Sequence, residues 1–326
     1  MELWVLKFMN KNTVSKPNFF LIGAPRSGST ALSEYLRLHP DLFFSDQKEL
    51  HYFSTDYPKK DRRNSCESEE EYLNHFIGAD GSIAVGEGSV WYMYSKVAIQ
   101  NILEYIPTAK FLIIVRNQID MARSIHRRSF SNGQEDIKNF QEAWEAQGDR
   151  KNGKRVPEFC TFDDVLQYEE MCSIGGHVQR LVSIIPHGFL KIVFLEDFEK
   201  KPIKVYKEVL EFLGLNPNRI ALEQDQFKVV NASFAQKSKA FSRILLVKKY
   251  HPRAYSKIRS LILKSPVLAR FFRRIKVLVH SGIRHWGQSS EYDILDVEFE
   301  KKLKMLFMKD TKLLEKNSTR DLSHWN

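Results

Sequence analysis

The chain has 326 residues, 43% of them hydrophobic and 12% aromatic, which is enough apolar material for a substantial core and argues against a disordered protein. No run reaches the roughly 18 apolar residues of a membrane-spanning helix, and residues 1–10 lack a signal cleavage site, so we expect a cytoplasmic protein. Cys66, Cys160 and Cys172 lie far apart without a C-x-x-C spacing, which argues against a disulfide framework or a zinc site.

The net charge of +10 is concentrated in one segment. Residues 226–290 contain fifteen Lys and Arg and no Asp or Glu, so the rest of the chain is net −5. Such a block indicates an anionic partner, for example a charged substrate, a membrane surface or nucleic acid. A solvated helix face is the alternative interpretation.

Short apolar runs alternate with helix-patterned segments in the N-terminal half of the chain. This order is typical of an α/β fold with a parallel sheet and crossover helices on both faces. The predicted strands are Phe19–Gly23, Ile83–Gly86, Lys110–Val115 and Lys191–Leu195. The predicted helices cover 29–38, 95–105, 117–130, 163–185 and 197–213.

For the remaining segments, the prediction rests on their composition. The polar stretch from Asn132 to Pro157 predicts a mobile insertion or a substrate loop. Residues 238–285 are basic, and a final helix is predicted from about Asp293 to Lys316. We therefore expect an N-terminal tail over 1–16, one α/β domain over 17–235, and a basic helical C-terminal extension over 236–326 that packs on the same domain.

The stretch FFLIGAPRSGSTAL, residues 19–32, joins a predicted strand to a predicted helix through a glycine-rich turn. Backbone N–H groups and a helix N-terminus converge at such a turn, which makes it an anion site. A nucleotide-triphosphate loop would need a lysine where Ser29 stands. The cation here is Arg26, whose planar fork suits phosphate or sulfate oxygens, and Ser29 and Thr30 add hydroxyl donors. An ordinary turn rich in Gly and Ser is the alternative.

The end of the strand predicted at Lys110–Val115 carries a second informative residue. A triphosphatase needs a carboxylate at such a position to hold magnesium, but the strand is followed by Arg116. Arg116, together with Ser124 on the next predicted helix, suits a second phosphate, and no divalent metal is implied. An arginine in a salt bridge at a strand end is the alternative.

The two phosphate-binding segments resemble those of the sulfotransferase superfamily, which has a P-loop-like fold and uses 3′-phosphoadenosine 5′-phosphosulfate (PAPS) as sulfuryl donor. In that family a loop like Pro25–Thr30 holds the 5′-phosphosulfate, and a segment like Val115–Ser124 holds the 3′-phosphate. The similarity spans nearly the whole chain and is closer to bacterial and carbohydrate-type members. It continues in Leu38–Asp41, Lys48–Phe53, Gly86–Ser89, Leu195–Phe198, Phe212–Gly214 and Arg320–Trp325.

For the donor, the resemblance implies PAPS as co-substrate and no metal. Arg26 would stabilise the bridging oxygen and the 5′-phosphate. Lys237 and Lys239 fall where related enzymes close a loop over the 3′-phosphate. The implied donor-binding residues are Pro25, Arg26, Ser27, Gly28, Ser29, Thr30, Arg116, Ser124, Lys237 and Lys239.

For the acceptor, the resemblance implies that Glu49 is the base that takes the hydroxyl proton. His51, in the same Lys-Glu-x-His stretch, is a candidate for contact with the acceptor. Glu87 is a candidate substrate residue, but the family pattern Glu-Lys-[ST] is interrupted because Gly88 replaces the lysine. Another cation, such as Lys48, must then serve, or the acceptor differs.

The leading hypothesis is a PAPS-dependent sulfotransferase that acts by in-line transfer on a hydroxyl of a carbohydrate, a lipid or a secondary metabolite. An ATP-using P-loop kinase and a non-catalytic anion or membrane binder are the alternatives. Residues 237–285 are expected to contact an anionic membrane, at its inner face, or a polyanionic saccharide. Nucleic acid is disfavoured because no recognised binding module accompanies the charge.

Overall fold

The computed structural model describes residues 15–57, 65–160, 162–219 and 295–325. Within these residues five strands form one parallel sheet, with the order β2-β3-β1-β4-β5. The strands are β1 (Phe19–Gly23), β2 (Leu42–Phe44), β3 (Ala84–Gly88), β4 (Lys110–Val115) and β5 (Leu190–Phe194). The predicted α/β fold with a central parallel sheet is confirmed.

Helices flank the sheet and are numbered in chain order within the described residues. They are α1 (Ser29–Leu36), α2 (Glu69–Asn74), α3 (Ala98–Tyr105), α4 (Gln118–Ser131), α5 (Phe140–Glu145), α6 (Gln147–Lys151), α7 (Tyr168–Cys172), α8 (Ile174–Ile184), α9 (Leu195–Lys200), α10 (Pro202–Leu213) and α11 (Val297–Ser318). Short 3₁₀ turns lie at Val90–Met93, Asp163–Leu166 and Ser323–Trp325.

The middle of the sheet is buried on both faces. Every residue of β1 is buried, and so are the five residues 111–115 of β4. Such continuous apolar runs are characteristic of parallel strands covered by helices. Because all five strands are parallel, the carboxyl ends of β1, β3 and β4 meet at one edge of the sheet, where ligands of open α/β folds bind.

The described residues fall into two compact units. The first contains residues 15–57, 65–118, 173–219 and 307–325, and therefore the whole sheet. The second contains residues 119–160, 162–172 and 295–306. The basic segment 226–290 lies outside the described residues. Of the extension predicted over 236–326, the structure describes residues 295–325, where α11 (Val297–Ser318) confirms the predicted final helix.

Several elements differ from the prediction: one strand was not predicted, one strand ends later than predicted, and two predicted helices are each divided into shorter ones. The strand β2 was not predicted from the sequence, and β3 extends two residues past the predicted end at Gly86. The predicted helix over 163–185 consists of a 3₁₀ turn, α7 and α8. The predicted helix over 197–213 is interrupted at Lys201, because Pro202 opens a new helix there. The stretch 132–157 contains two helices, α5 and α6.

Candidate active site

The turn between β1 and α1 has the geometry of an anion-binding loop. Gly28 is the N-cap of α1 with φ 93° and ψ 9°, and no side chain caps the helix. The first intrahelical hydrogen bond runs from the Leu32 N–H to the Gly28 oxygen at 3.0 Å, so the N–H groups of the first turn are not used within the helix. The positive φ favours glycine at position 28, and a Cβ atom there would lie 2.8 Å from Leu195 Cδ1, so that side chain would also have to shift.

Three of the predicted site residues adopt an unusual backbone conformation. Arg26 has φ 61°, Glu49 has φ 61° and His51 has φ 52°. In the part of the chain that the structure describes, only two other non-glycine residues have a positive φ, Arg155 and Thr319. Such conformations cost roughly 1–3 kcal/mol each and concentrate at functional sites. The strain therefore marks the loop and the segment 49–51 as candidate site elements.

Glu49 is held at the carboxyl end of β3. Its N–H donates to the Gly88 oxygen at 2.8 Å, and the Val90 N–H donates to Glu49 Oε2 at 3.2 Å. Burial raises the pKa of Glu49 to about 7, although Lys48 and the Val90 N–H partly oppose the shift. The side chain keeps 31% of its surface exposed, so its carboxylate can still meet a ligand. His51 Nε2 lies 3.6 Å from Glu49 Oε2.

Lys48 connects the base candidate to the anion loop. Its Nζ donates a hydrogen bond to Ser29 Oγ at 3.4 Å. Burial lowers the pKa of Lys48, and the neighbouring Arg37 acts in the same direction, whereas Glu49 opposes it. Loop, ammonium and carboxylate therefore lie in one place, although Ser29 and Glu49 are twenty residues apart in sequence.

Glu87 has no exposed surface and holds its neighbours in place. Its Oε2 accepts hydrogen bonds from the hydroxyls of Tyr72 at 3.0 Å and Tyr92 at 3.2 Å, and its Oε1 accepts one from Ser89. Burial raises the pKa of Glu87 to about 7, against the effect of these three donors.

The hydroxyls that contact Glu87 also fix the segment that follows Glu49. Ser89 Oγ accepts a hydrogen bond from the His51 N–H at 3.2 Å, and the Tyr92 hydroxyl accepts one from the Phe53 N–H at 3.3 Å. Glu87 thus acts on the site through backbone positioning. Sequence analysis included Ser89 in the motif Gly86–Ser89 but missed Tyr72 and Tyr92, because no local pattern predicts the contact of these hydroxyls with the Glu87 carboxylate.

The other predicted donor-binding residues that the structure describes are divided between the two units. Ser27 is buried, and its hydroxyl donates to the Pro25 oxygen at 3.4 Å within the loop. Arg116 directly follows β4 and is half-buried in the first unit, and Ser124 is buried on α4 in the second unit. Lys237 and Lys239 lie outside the described residues.

A metal-binding cluster and a membrane-spanning helix are both absent from the described residues. These residues contain no group of three or more His, Cys, Asp or Glu side chains that could hold a metal ion. Among the helices described, none combines the length and apolar composition needed to cross a membrane.

A parallel α/β sheet whose central strand leads through a glycine-rich turn into a helix defines a P-loop-like α/β fold, and comparison with known families identifies the family. Residues 16–251 match the family model described as "Sulfotransferase domain". The chain belongs to this sulfotransferase family, and the predicted resemblance is confirmed.

Individual relatives extend this result. The crystal structure of a sulfotransferase from Alicyclobacillus acidocaldarius superposes with a TM-score of 0.68 at 21% identity, over 95% of this chain and 99% of that chain, which establishes the shared fold. The membrane-associated sulfotransferase kil1 of Dictyostelium discoideum is 26% identical over 115 residues, which is 35% of this chain and 23% of the relative. The human bifunctional heparan sulfate N-deacetylase/N-sulfotransferase 3 is 24% identical over 216 residues, 62% of this chain and 23% of the relative. The matched region thus spans about a quarter of the length of these curated relatives.

Proposed function

We propose that the protein transfers a sulfuryl group from PAPS to a hydroxyl group of a carbohydrate acceptor. The observation that carries this proposal is the hydrogen bond between Lys48 and Ser29. It brings the segment that contains the base candidate, Glu49, to the anion loop. Membership of the sulfotransferase family supports the reaction class. The carbohydrate is favoured by the relative named for heparan sulfate.

The loop residues fit the anionic end of PAPS, which supplies the activated sulfuryl group. The uncapped first turn of α1 presents N–H groups, and Arg26 adds a charged fork within the same turn. Arg116 and Ser124 are proposed for the 3′-phosphate. Arg116 follows β4 at the place where a triphosphatase would carry a magnesium-binding carboxylate, so the chain's own cations are proposed to balance the donor's charge.

Glu49 is the proposed base. A carboxylate whose pKa is about 7 is about half ionised at neutral pH, and it accepts a proton far better than an ordinary glutamate. Its exposed fraction allows contact with an acceptor hydroxyl. His51, at 3.6 Å from the Glu49 carboxylate, is proposed to orient that carboxylate or the acceptor.

The location and the partners of the protein are also proposals. One relative is named as membrane-associated, which is compatible with a peripheral contact of residues 237–285 with an anionic membrane. The same basic residues could hold a polyanionic saccharide. A cytoplasmic location stays a prediction from the sequence.

Ligand binding provides the first test. Calorimetry should detect adenosine 3′,5′-bisphosphate (PAP) bound without metal and little binding of Mg-ATP. Tight magnesium-dependent ATP binding would instead favour the kinase alternative and overturn the proposal.

Transfer itself is tested with ³⁵S-labelled PAPS and an extract of the cells that make the protein. Glu49→Gln should lower the rate of labelling by about 10²–10⁴-fold, the usual contribution of a general base. Glu211→Gln, an exposed residue of α10, is the matched control and should label at the wild-type rate. Equal labelling by Glu49→Gln and wild type would exclude Glu49 as the base, and labelling of the saccharide fraction would identify the acceptor class.

A further inference from the structure

We infer that Lys48 is a catalytic residue of the sulfuryl-transfer site, and that the missing side chain at Gly88 is what allows its ammonium group to reach the anion loop. This inference rests on the proposed function. It assigns to Lys48 contact with the transferred group, and to Gly88 the role of making room for that contact.

The first line of evidence is the path of the Lys48 side chain. A Cβ atom at Gly88 would lie 3.0 Å from Lys48 Cε and 3.0 Å from Phe44 Cζ, which is closer than ordinary van der Waals contact. The methylene chain of Lys48 therefore crosses the bare backbone at the end of β3. A side chain at position 88 would therefore force the Lys48 chain and the Phe44 ring to shift by a few tenths of an ångström.

The second line of evidence is where the chain ends. Lys48 Nζ contacts Ser29 Oγ, and Ser29 is the first residue of the eight-residue helix α1. A cation near a helix N-terminus is electrostatically unfavourable, because the helix dipole is positive there. Burial adds to this cost. An anion held at the same N–H groups would compensate for both, so the position suits a lysine that meets a negatively charged substrate.

The third line of evidence is the relation between Lys48 and Glu49. The positive charge of Lys48 counteracts the burial that raises the pKa of Glu49. In the transfer, the acceptor oxygen forms a bond to sulfur while the bond from sulfur to the donor's phosphate oxygen breaks, and the hydroxyl proton passes to Glu49. Negative charge then grows on the departing phosphate oxygen, and an ammonium in a poorly hydrated site stabilises it strongly.

A set of variants separates this role from a structural one. Lys48→Met removes the ammonium and keeps an unbranched chain. Gly88→Ala displaces the Lys48 chain without removing its charge. The double variant Lys48→Ala/Gly88→Lys removes the Lys48 chain and places an ammonium at position 88 instead. Lys96→Met, an exposed lysine of the same unit, is the control.

Two readouts are needed for each variant: the rate of ³⁵S transfer into the extract at saturating PAPS, and the dissociation constant for PAP. Lys48→Met should lower the transfer rate by about 100-fold, in line with the loss of one transition-state donor, while PAP binding weakens by less than about tenfold. Gly88→Ala should have an intermediate effect, and the double variant should recover at least about tenfold over Lys48→Met. Lys96→Met should match the wild type.

The pH dependence of transfer gives an independent readout. Without Lys48 the pKa of Glu49 rises further, so the acidic limb of the rate profile should move to higher pH in Lys48→Met. A transfer rate within about threefold of wild type in folded, PAP-binding Lys48→Met would overturn the inference. If the wild-type protein itself transfers no sulfuryl group, the proposed function fails instead, and the two failures are therefore distinguishable.

Discussion

Buried carboxylates in the two units of the protein have opposite electrostatic surroundings. In the first unit, Glu87 accepts hydrogen bonds from hydroxyls, and burial raises its pKa to about 7. In the second unit, Glu135 accepts bonds from Arg150 Nη1 at 2.7 Å and Nη2 at 2.6 Å and from the Tyr168 hydroxyl at 2.6 Å. Burial alone would raise the pKa of Glu135, but these partners outweigh it and the pKa is lowered.

This difference in surroundings means that Glu87 can exchange a proton near neutral pH, whereas Glu135 stays ionised. A guanidinium in bidentate contact fixes the charge of Glu135 and turns it into a structural element. Glu49, like Glu87, has no guanidinium in such contact among the interactions described, and its pKa also lies near 7. A proton-accepting role therefore fits the first unit, whereas the pair in the second unit stabilises the fold around α5, α6 and α7.

The largest expected effect concerns the ion pair of the second unit. Arg150→Met leaves the carboxylate of Glu135 buried and unpaired, which should lower the free energy of unfolding by about 3–5 kcal/mol. Urea denaturation measures this loss. Arg155→Met is the matched control, because Arg155 pairs with Asp149 at 3.5 Å with about half of each side chain exposed, and its removal should cost less than about 1 kcal/mol.

The second prediction concerns the pH dependence of transfer. Glu49 must be deprotonated to act as the base, so the rate at low acceptor concentration should rise with pH up to about 7 and then level off. Below the midpoint the rate should fall about tenfold per pH unit. A profile that stays flat from pH 5.5 to 8 would contradict a titrating base at this site, and Glu211→Gln should reproduce the wild-type profile.

The smallest expected effect is on stability as a function of pH. The pKa of Glu87 is raised in the folded state, so between about pH 4.5 and 7 the folded protein binds more protons than the unfolded chain. Stability must then fall as the pH rises through this window, by at most about 1.4 kcal/mol per pH unit for this group. Glu87→Gln should remove that share of the slope, as thermal unfolding at several pH values can measure. An unchanged slope would mean that Glu87 does not titrate in this window.

The sequence predicted the strands in the middle of the sheet well. The bounds of β1 and β4 agree with the prediction, because each is a continuous apolar run of the kind that a doubly covered strand needs. The three residues of β2 carry too little pattern, since among the described strands β2 lies at an edge of the sheet and pairs only with β3. The breaks at Lys201 and Ser173 were missed because amphipathic periodicity continues across them.

The candidate site divides in the same way. The anion loop is a local feature, since glycines, hydroxyls and a cation follow a strand within a few residues, and the sequence predicted it as one unit. The contact of Lys48 with Ser29 depends on the space above Gly88, and no spacing rule encodes that space. The burial of Arg150 depends in the same way on Glu135 and Tyr168, so the stretch predicted as a mobile insertion or a substrate loop contains a buried ion pair.

By itself, the sequence determined the parallel α/β architecture and the anion loop, because these depend on residue types that are close together along the chain. The resemblance to the sulfotransferase family was also visible in the sequence and is confirmed. Tertiary structure decided which groups surround each buried glutamate and therefore the pKa of its carboxyl group. Glu49, Glu87 and Glu135 are the same residue type, and burial raises the pKa of each. Their other neighbours offset this only in part for Glu49 and Glu87, whereas the Arg150 guanidinium and the other donors to Glu135 outweigh it. Only the folded chain brings together the desolvation and the charges that make this difference.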